Sequence, residues 1–248
     1  MRFFLKLTTI TLFCLLLLSC SIESKIQKMS MSQRIEIGDE FYDNKKYSKA
    51  IPYYSNVVFE KKSSRTSEIQ HRLGNCYKHK KDYESAISTY EDLLNFFPDY
   101  AKKEDVLFLL GESYYQMSGS AHYTQDETYR AIDVFKLLLA NYPNSKYGQK
   151  VGEYLAELDY KLIEKKYYNG YIYFKIYDYP ASLLYLQEVI DKHTGDELEL
   201  KSLYYCSLIY LEQSDMEKVD ETYSQLLKLF PDAKQTQIIK EKYKKNES

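Results

Sequence analysis

Apolar and small residues recur along this chain at two nested spacings. Within short stretches, the apolar residues follow the 3.6-residue period of an amphipathic helix. Over longer distances a fixed order returns, in which an apolar residue precedes a glycine and an aromatic residue stands three positions later. An alanine follows twelve positions after the glycine, and a second aromatic residue stands four positions after the alanine. The stretches 34–60 and 70–100 match in this register. The pattern therefore predicts pairs of helices that repeat along the chain.

Each recurring residue type suits one role in a packed helix pair. Glycine and alanine remove bulk where two helices approach, and the aromatic residues fill the gaps between helices. Proline after a second helix prevents that helix from continuing. The first three copies place these residues at Gly38, Gly74, Gly111, Ala50, Ala86 and Ala131, and the prolines are Pro98, Pro143 and Pro231. This unit resembles the tetratricopeptide repeat (TPR). We expect an all-α fold, an α-solenoid of five TPR-like helix pairs in a curved superhelix.

Two copies depart from the common spacing. In the third copy, extra residues between Gly111 and Ala131 predict a polar surface loop at 116–126. In the fourth copy, the long interval between Pro143 and Ala181 predicts an extended helix over about 146–177. Asn169 is expected there in place of the packing glycine, with Ala181 and Tyr185 continuing the pattern of the second helix.

Composition removes several classes of protein. Among 248 residues, 44% are hydrophobic and 28% charged, and 34 Lys and Arg stand against 36 Asp and Glu. This balance provides no basic field for a nucleic acid. A mean hydropathy of −0.53 is too low for a polytopic membrane protein. With 8 glycines and 5 prolines, a β-sandwich with many turns is disfavoured.

The first residues are typical of an export signal. Arg2 and Lys6 precede a mostly apolar run over 7–18, which is shorter than the roughly 20 residues that a spanning helix needs. The run ends in Leu17-Leu18-Ser19-Cys20, which resembles a bacterial lipobox. We therefore expect a lipoprotein signal peptide at 1–19 and an acylated tether at 20–30, with diacylglycerol and palmitate on Cys20. The alternative is an ordinary signal peptide with a coincidental cysteine.

The remaining two cysteines allow two interpretations. Cys76 and Cys206 lie far apart in the chain, each on an apolar helix face. Export permits a disulfide, but buried free thiols that act as small hydrophobic residues are the favoured interpretation.

Several stretches taken together resemble the BamD family of outer-membrane lipoproteins, which belong to the β-barrel assembly machinery (BAM complex). The stretches are 124–135, 141–147, 155–160 and 171–182, and the lipobox, the enlarged third repeat and the long fourth-repeat helix add to them. The resemblance implies a scaffold that is lipid-anchored to the outer membrane and faces the periplasm, for insertion of proteins into that membrane. Repeats 1–3, at 31–143, would receive unfolded outer-membrane protein precursors. Repeats 4 and 5, at 144–233, would dock on the periplasmic domains of the BamA-like barrel-forming subunit, with Tyr173, Lys175 and Tyr185 as candidate docking residues.

One face of the first three repeats is a candidate peptide groove. The fifth, ninth and twelfth positions of each first helix are expected to line it. These positions hold Ile35, Asp39, Tyr42, His71, Asn75, Lys78, Phe108, Glu112 and Tyr115. Rings together with hydrogen-bonding groups suit an aromatic-rich peptide, and the candidate peptide-binding residues are Tyr42, His71, Asn75, Lys78, Phe108, Glu112 and Tyr115. The alternative, that the tyrosines only fill contacts between helices, stays open.

No constellation for catalysis is recognisable. The four histidines lack metal-ligand spacing, and neither a phosphate-binding loop nor a nucleophile elbow occurs. We expect no enzymatic activity, no metal and no cofactor apart from the covalent lipid. The lysine-rich end at 234–248 is expected to be a basic tail, and a solvated helix end is its favoured interpretation. Two other functions remain open: a TPR lipoprotein that organises cell-wall synthesis or division, and a receptor that feeds a transporter.

Overall fold

The structure is a computed structural model that describes residues 24–60 and 65–246. Within these ranges every regular element is a helix, which confirms the all-α prediction. From residue 31 onward the helices are α1 (Met31–Asp43), α2 (Tyr47–Glu60), α3 (Thr66–His79), α4 (Tyr83–Phe96), α5 (Lys103–Met117), α6 (Asp126–Asn141), α7 (Gly148–Lys175), α8 (Tyr179–Ile190), α9 (Glu197–Glu212), α10 (Met216–Leu229) and α11 (Lys234–Asn246).

The helices form five consecutive TPR-like pairs, from α1 with α2 to α9 with α10, and α11 follows the last pair. Pro98, Pro143 and Pro231 each lie two residues beyond the end of a second helix, as predicted. The long helix predicted at 146–177 is confirmed as α7, which has 28 residues.

The described chain divides into two compact units. The first contains the residues up to Ser118 together with Tyr129–Val151, and the second contains Gly119–Thr128 together with the residues from Gly152 onward. The predicted boundary between 143 and 144 differs from this division, because α6 and α7 each contribute residues to both units.

The packing glycines explain how the paired helices approach each other. A Cβ atom placed on Gly38 would lie 2.6 Å from the Tyr54 ring, and one on Gly74 would lie 2.4 Å from the Tyr90 ring. Both rings are fully buried. In these first two pairs the ring residue stands sixteen positions after the glycine. In the third pair the insertion separates the two residues further, and Phe135 supplies the ring that contacts Gly111. Only glycine leaves room for the ring at this contact.

The fourth pair follows the same rule, but one residue later than predicted. Gly170, and not Asn169, is the packing residue, because its Cβ would lie 2.7 Å from Cγ of the buried Leu186. Ser182, and not Ala181, occupies the small-residue position, and its hydroxyl donates to the Gly170 carbonyl at 2.9 Å. Tyr185 therefore stands one position before Leu186, the buried residue that contacts Gly170.

The turns between paired helices support this corrected register. Lys45, Lys81 and Tyr177 stand seven residues after the packing glycines of their pairs and adopt a left-handed backbone, with φ between 57° and 63°. Ser214, in the turn of the fifth pair, has the same conformation, with φ of 56°. In pairs two, four and five, an aspartate follows and its side chain accepts a backbone N–H at the start of the second helix, as Asp178 does from Ala181. Non-glycine residues rarely adopt this conformation, so its recurrence at one position marks the repeat.

The insertion in the third pair is a loop at the surface, as predicted, since most residues of 116–126 are exposed, and a few buried side chains anchor it. Ala121 is 1% exposed, and Gln125 and Thr128 are buried and hydrogen-bonded to each other at 2.8 Å. The His122 ring lies 3.9 Å from the Tyr168 ring of α7. This ring contact attaches the insertion to α7.

The end of the described chain is also ordered. The basic tail predicted at 234–248 contains α11 over Lys234–Asn246. Ile239 is fully buried in the second unit and Tyr243 packs against Tyr223, because the apolar residues of this lysine-rich stretch share one helical face.

Candidate functional site

The predicted groove residues lie on the first helices of unit 1, and their side chains contact one another from helix to helix. Asn75 on α3 donates from Nδ2 to the Tyr42 hydroxyl on α1 at 3.3 Å, and its Oδ1 accepts from the Tyr90 hydroxyl at 2.7 Å. One amide therefore bridges two repeats. All three side chains hold their orientation without a bound partner.

A second polar group, centred on Asp39, lies on the same face. Asp39 accepts from the Tyr54 hydroxyl at 2.7 Å and from Arg72 of α3 at 3.2 Å. The Arg72 guanidinium also lies 5.3 Å from the centre of the Tyr42 ring, which is a cation–π distance. Sequence reasoning missed Arg72. It stands one position after His71, and its pairing with an acid in the previous repeat is not visible from local spacing.

Lys78 and Glu112 connect the second and third repeats. The Lys78 ammonium lies 2.5 Å from a Glu112 carboxylate oxygen, and both side chains are about one-fifth to one-quarter exposed. Because both side chains are mostly buried, this ion pair is stronger than a fully exposed one, although both charged groups still reach solvent.

His71 is buried, which does not fit a ligand at an open surface. Its exposed fraction is 8%, and Nδ1 lies 3.2 Å from the Tyr100 hydroxyl. Burial lowers the pKa of His71 to about 4, because a charged imidazole loses its hydration there. The side chain is therefore neutral near pH 7 and packs between rings.

The third repeat contributes aromatic surface. Phe108 stacks on Tyr147 with ring centres 4.0 Å apart and planes at 4°. The Tyr147 hydroxyl donates to Asp105 at 2.7 Å, and Lys146 pairs with the same carboxylate at 2.7 Å. Burial acts to raise the pKa of Asp105, but these two hydrogen bonds lower it overall. Tyr115, the remaining groove candidate, is half-buried on α5.

The three candidate docking residues lie at the end of α7 and on α8, in unit 2. Tyr173 and Tyr185 stack on each other, with centres 5.6 Å apart and planes at 4°. Phe41 and Tyr53 occupy the same two repeat positions in the first pair. The tyrosine pair thus has a packing role within its own repeat, whereas Lys175 is exposed as the last residue of α7.

Other features of the described residues bear on function. No group of three or more His, Cys, Asp or Glu side chains among them is placed to hold a metal ion. Likewise, none of the described helices combines the length and apolarity needed to cross a bilayer. Cys76 and Cys206 are free and buried, as favoured from the sequence. Cys20 lies outside the described residues, so its acylation stays a prediction.

Three features recur along the chain: a packing glycine, an aromatic ring that fills the space beside it, and a left-handed turn between paired helices. Together they define a tetratricopeptide-repeat protein. Residues 27–226 match the family described as YfiO, outer membrane lipoprotein, and the chain belongs to that family. It is similar to the outer membrane protein assembly factor BamD of Rickettsia prowazekii (strain Madrid E), with 23% identity over 164 residues. That alignment spans 65% of this chain and 65% of the relative's length.

Two solved structures resemble the chain more distantly. One is the TPR2AB domain of yeast Sti1 in its pHSP90 complex, with a TM-score of 0.47, 16% identity, and coverage of 85% of this chain and 81% of that one. The other is Pseudomonas aeruginosa pilF, with a TM-score of 0.41, 17% identity, and coverage of 85% and 81%.

Proposed function

We propose that this protein is a lipid-anchored scaffold of the β-barrel assembly machinery on the periplasmic side of the outer membrane. In this role it binds the barrel-forming subunit and unfolded outer-membrane protein precursors. The family match over residues 27–226 carries the proposal, and the assembly-factor name of the Rickettsia relative supports it. The scaffold binds and positions its partners without catalysing a reaction.

The first-helix face of unit 1 is the proposed site for precursors. It combines half-buried rings with amide, guanidinium, ammonium and carboxylate groups that are already held in place, among them Asn75 and Arg72. Pre-oriented groups lose little conformational entropy when a peptide binds. An extended segment rich in aromatic residues could stack on the exposed parts of the rings and exchange hydrogen bonds with the polar groups.

The end of α7 is the proposed site for the barrel-forming subunit. Lys175 is exposed there and offers a positive charge, while Ile176 and Tyr177 are 63% and 76% exposed. Exposed apolar side chains beside a charge are typical of a protein-binding surface. The stacked rings of Tyr173 and Tyr185 would hold the end of α7 against α8 and so stabilise this surface.

Depletion of the protein in its own bacterium tests the proposal. We expect the outer-membrane barrel proteins to become less abundant, and affinity purification from detergent extracts to recover a large barrel-forming subunit. Unchanged barrel abundance together with recovery of cell-wall enzymes would instead establish a role in envelope maintenance.

Charge reversal at one exposed lysine tests the docking site. Lys175→Glu should reduce recovery of the barrel-forming subunit without loss of helical content. Lys192→Glu is a matched control, because Lys192 is an exposed lysine of the same unit in the turn after α8. Equal recovery with both variants would contradict the assignment of the docking site to α7.

Photo-crosslinking tests the precursor face. A photoreactive residue in place of Phe108 should capture barrel precursors, whereas the same residue in place of Phe59, which is 88% exposed on the second helix α2, should not. Similar capture at both positions would rule out a specific groove.

A further inference from the structure

The segment that precedes α1 is fixed to the first repeat, although the sequence predicts a tether there. Ile26 is 1% exposed. The buried Arg34 donates from Nε and Nη2 to the Met29 carbonyl at 3.1 Å and 3.0 Å, and its Nη1 lies 2.6 Å from Glu60 at the end of α2. The Arg34 guanidinium thus binds this segment to both helices of the repeat.

The cap of α1 adds a second attachment. The Ser30 hydroxyl accepts the Gln33 N–H at 3.3 Å, while the Gln33 side chain accepts the Ser30 N–H at 2.9 Å. This reciprocal capping box fixes the direction in which the chain enters α1. From Ser24 onward, therefore, the chain belongs to the folded body.

Little chain remains between that body and the predicted lipid. Cys20 and Ser24 are four residues apart in sequence. A fully extended chain spans at most about 3.6 Å per residue, so the two α-carbons lie within about 14 Å of each other. Because an acylated cysteine sits at the boundary between lipid tails and headgroups, the body cannot move far from the membrane.

The chemistry of the segment suits a phospholipid surface. Lys25 and Lys28 are both exposed, and they share one turn in which the Lys28 N–H donates to the Lys25 carbonyl at 3.2 Å. Their ammonium groups can pair with headgroup phosphates. Lys46 is also exposed but stands beyond the other end of α1, about 20 Å away along a helix of 13 residues.

We propose that the N-terminal edge of the first repeat, formed by residues 24–30, is a lipid-contacting surface that the short link to acylated Cys20 holds against phospholipid headgroups. This inference rests on the lipid anchor of the proposed function. It adds an orientation, because one end of the first helix pair faces the membrane and the other faces away.

Fluorescence quenching can test the contact in the full-length acylated protein. A fluorophore is attached at Lys28→Cys or, as the matched control, at Lys46→Cys. Cys76 and Cys206 are buried and do not compete for the label. The protein is reconstituted into vesicles of phosphatidylethanolamine and phosphatidylglycerol that contain a lipid with a nitroxide on its headgroup, which quenches fluorophores only near contact.

We expect at least twofold stronger quenching at position 28 than at position 46. Insertion of twelve Gly and Ser residues between Ile22 and Glu23 should reduce quenching at position 28 to the level of position 46. Equal quenching at both positions, or no effect of the spacer, would overturn the inference while leaving the anchor intact. Failure of the protein to associate with vesicles at all would overturn the lipid anchor itself.

Discussion

The two glycines within α7 provide a direct test of the repeat register. Gly152 and Gly170 lie in the same helix and the same compact unit. A Cβ atom on Gly152 would meet nothing within 4 Å. At Gly170, a Cβ atom would lie 2.7 Å from Cγ, 2.8 Å from Cδ2 and 3.2 Å from the backbone nitrogen of Leu186. The same substitution therefore has opposite consequences at the two positions.

The expected magnitudes follow from two opposing effects. Replacing glycine by alanine inside a helix stabilises it by about 0.5–1 kcal/mol. At Gly170 the new methyl group must displace a fully buried leucine, and overpacking of this kind costs about 1–3 kcal/mol. Gly152→Ala should thus raise the free energy of unfolding by up to about 1 kcal/mol. Gly170→Ala should lower it by roughly 0–2 kcal/mol, and the difference between the variants isolates the overpacking.

Urea denaturation followed by circular dichroism at 222 nm gives the comparison. The variant Asn169→Phe serves as a further control, because the register first predicted from the sequence would place the close contact there and added bulk would then be costly. A larger loss of stability at Asn169 than at Gly170 would refute the corrected register. So would equal shifts of the denaturation midpoint for Gly152→Ala and Gly170→Ala.

Four further predictions can be measured with standard methods. Cys20→Ala should leave the helical content unchanged but move the purified protein from the membrane to the soluble fraction. Gly74→Val should destabilise the protein by roughly 1–3 kcal/mol in thermal denaturation, because the Tyr90 ring occupies the space needed. Burial lowers the pKa of His71 to about 4. As the pH drops from about 6.5 to 4, the unfolded chain therefore binds a proton at this residue before the folded chain does, and the free energy of unfolding decreases. The variant His71→Gln should lose less stability than the unmodified protein over this range. Burial raises the pKa of Cys76 and Cys206 to about 12, so both thiols should resist a thiol reagent at pH 8 until the protein is denatured.

The sequence predicts the helical pairs well because their packing depends on residues with distinctive sizes. Gly38 and Gly74 are recognisable in the sequence, since no other residue type leaves room for the ring sixteen positions later. The predicted register of the fourth repeat is wrong by one residue, because Leu186 stands in place of the aromatic residue and Ser182 in place of alanine. Ala181 and Tyr185 have the residue types of the repeat pattern, but each stands one position before the residue that fills that place in the structure.

The candidate site was less predictable than the fold. Positions on the first helices follow from periodicity, but the contacts across repeats depend on which side chains meet, as Lys78 meets Glu112 and Asp39 meets Arg72. His71 occupies a groove position in sequence yet is buried, because Tyr100, which follows α4, covers it. Residues outside the helices follow no periodic pattern, so the sequence does not predict which groove residues they bury.

The contact between the insertion and α7 also has a consequence for how the chain acquires its structure during translation. His122 leaves the ribosome well before its partner Tyr168, which belongs to the next repeat. The ring contact between these two residues therefore cannot form until the middle of α7 has been synthesised. The helices of the third pair can pack through Gly111 and Phe135 before that moment, so the insertion is anchored later than the pair that contains it.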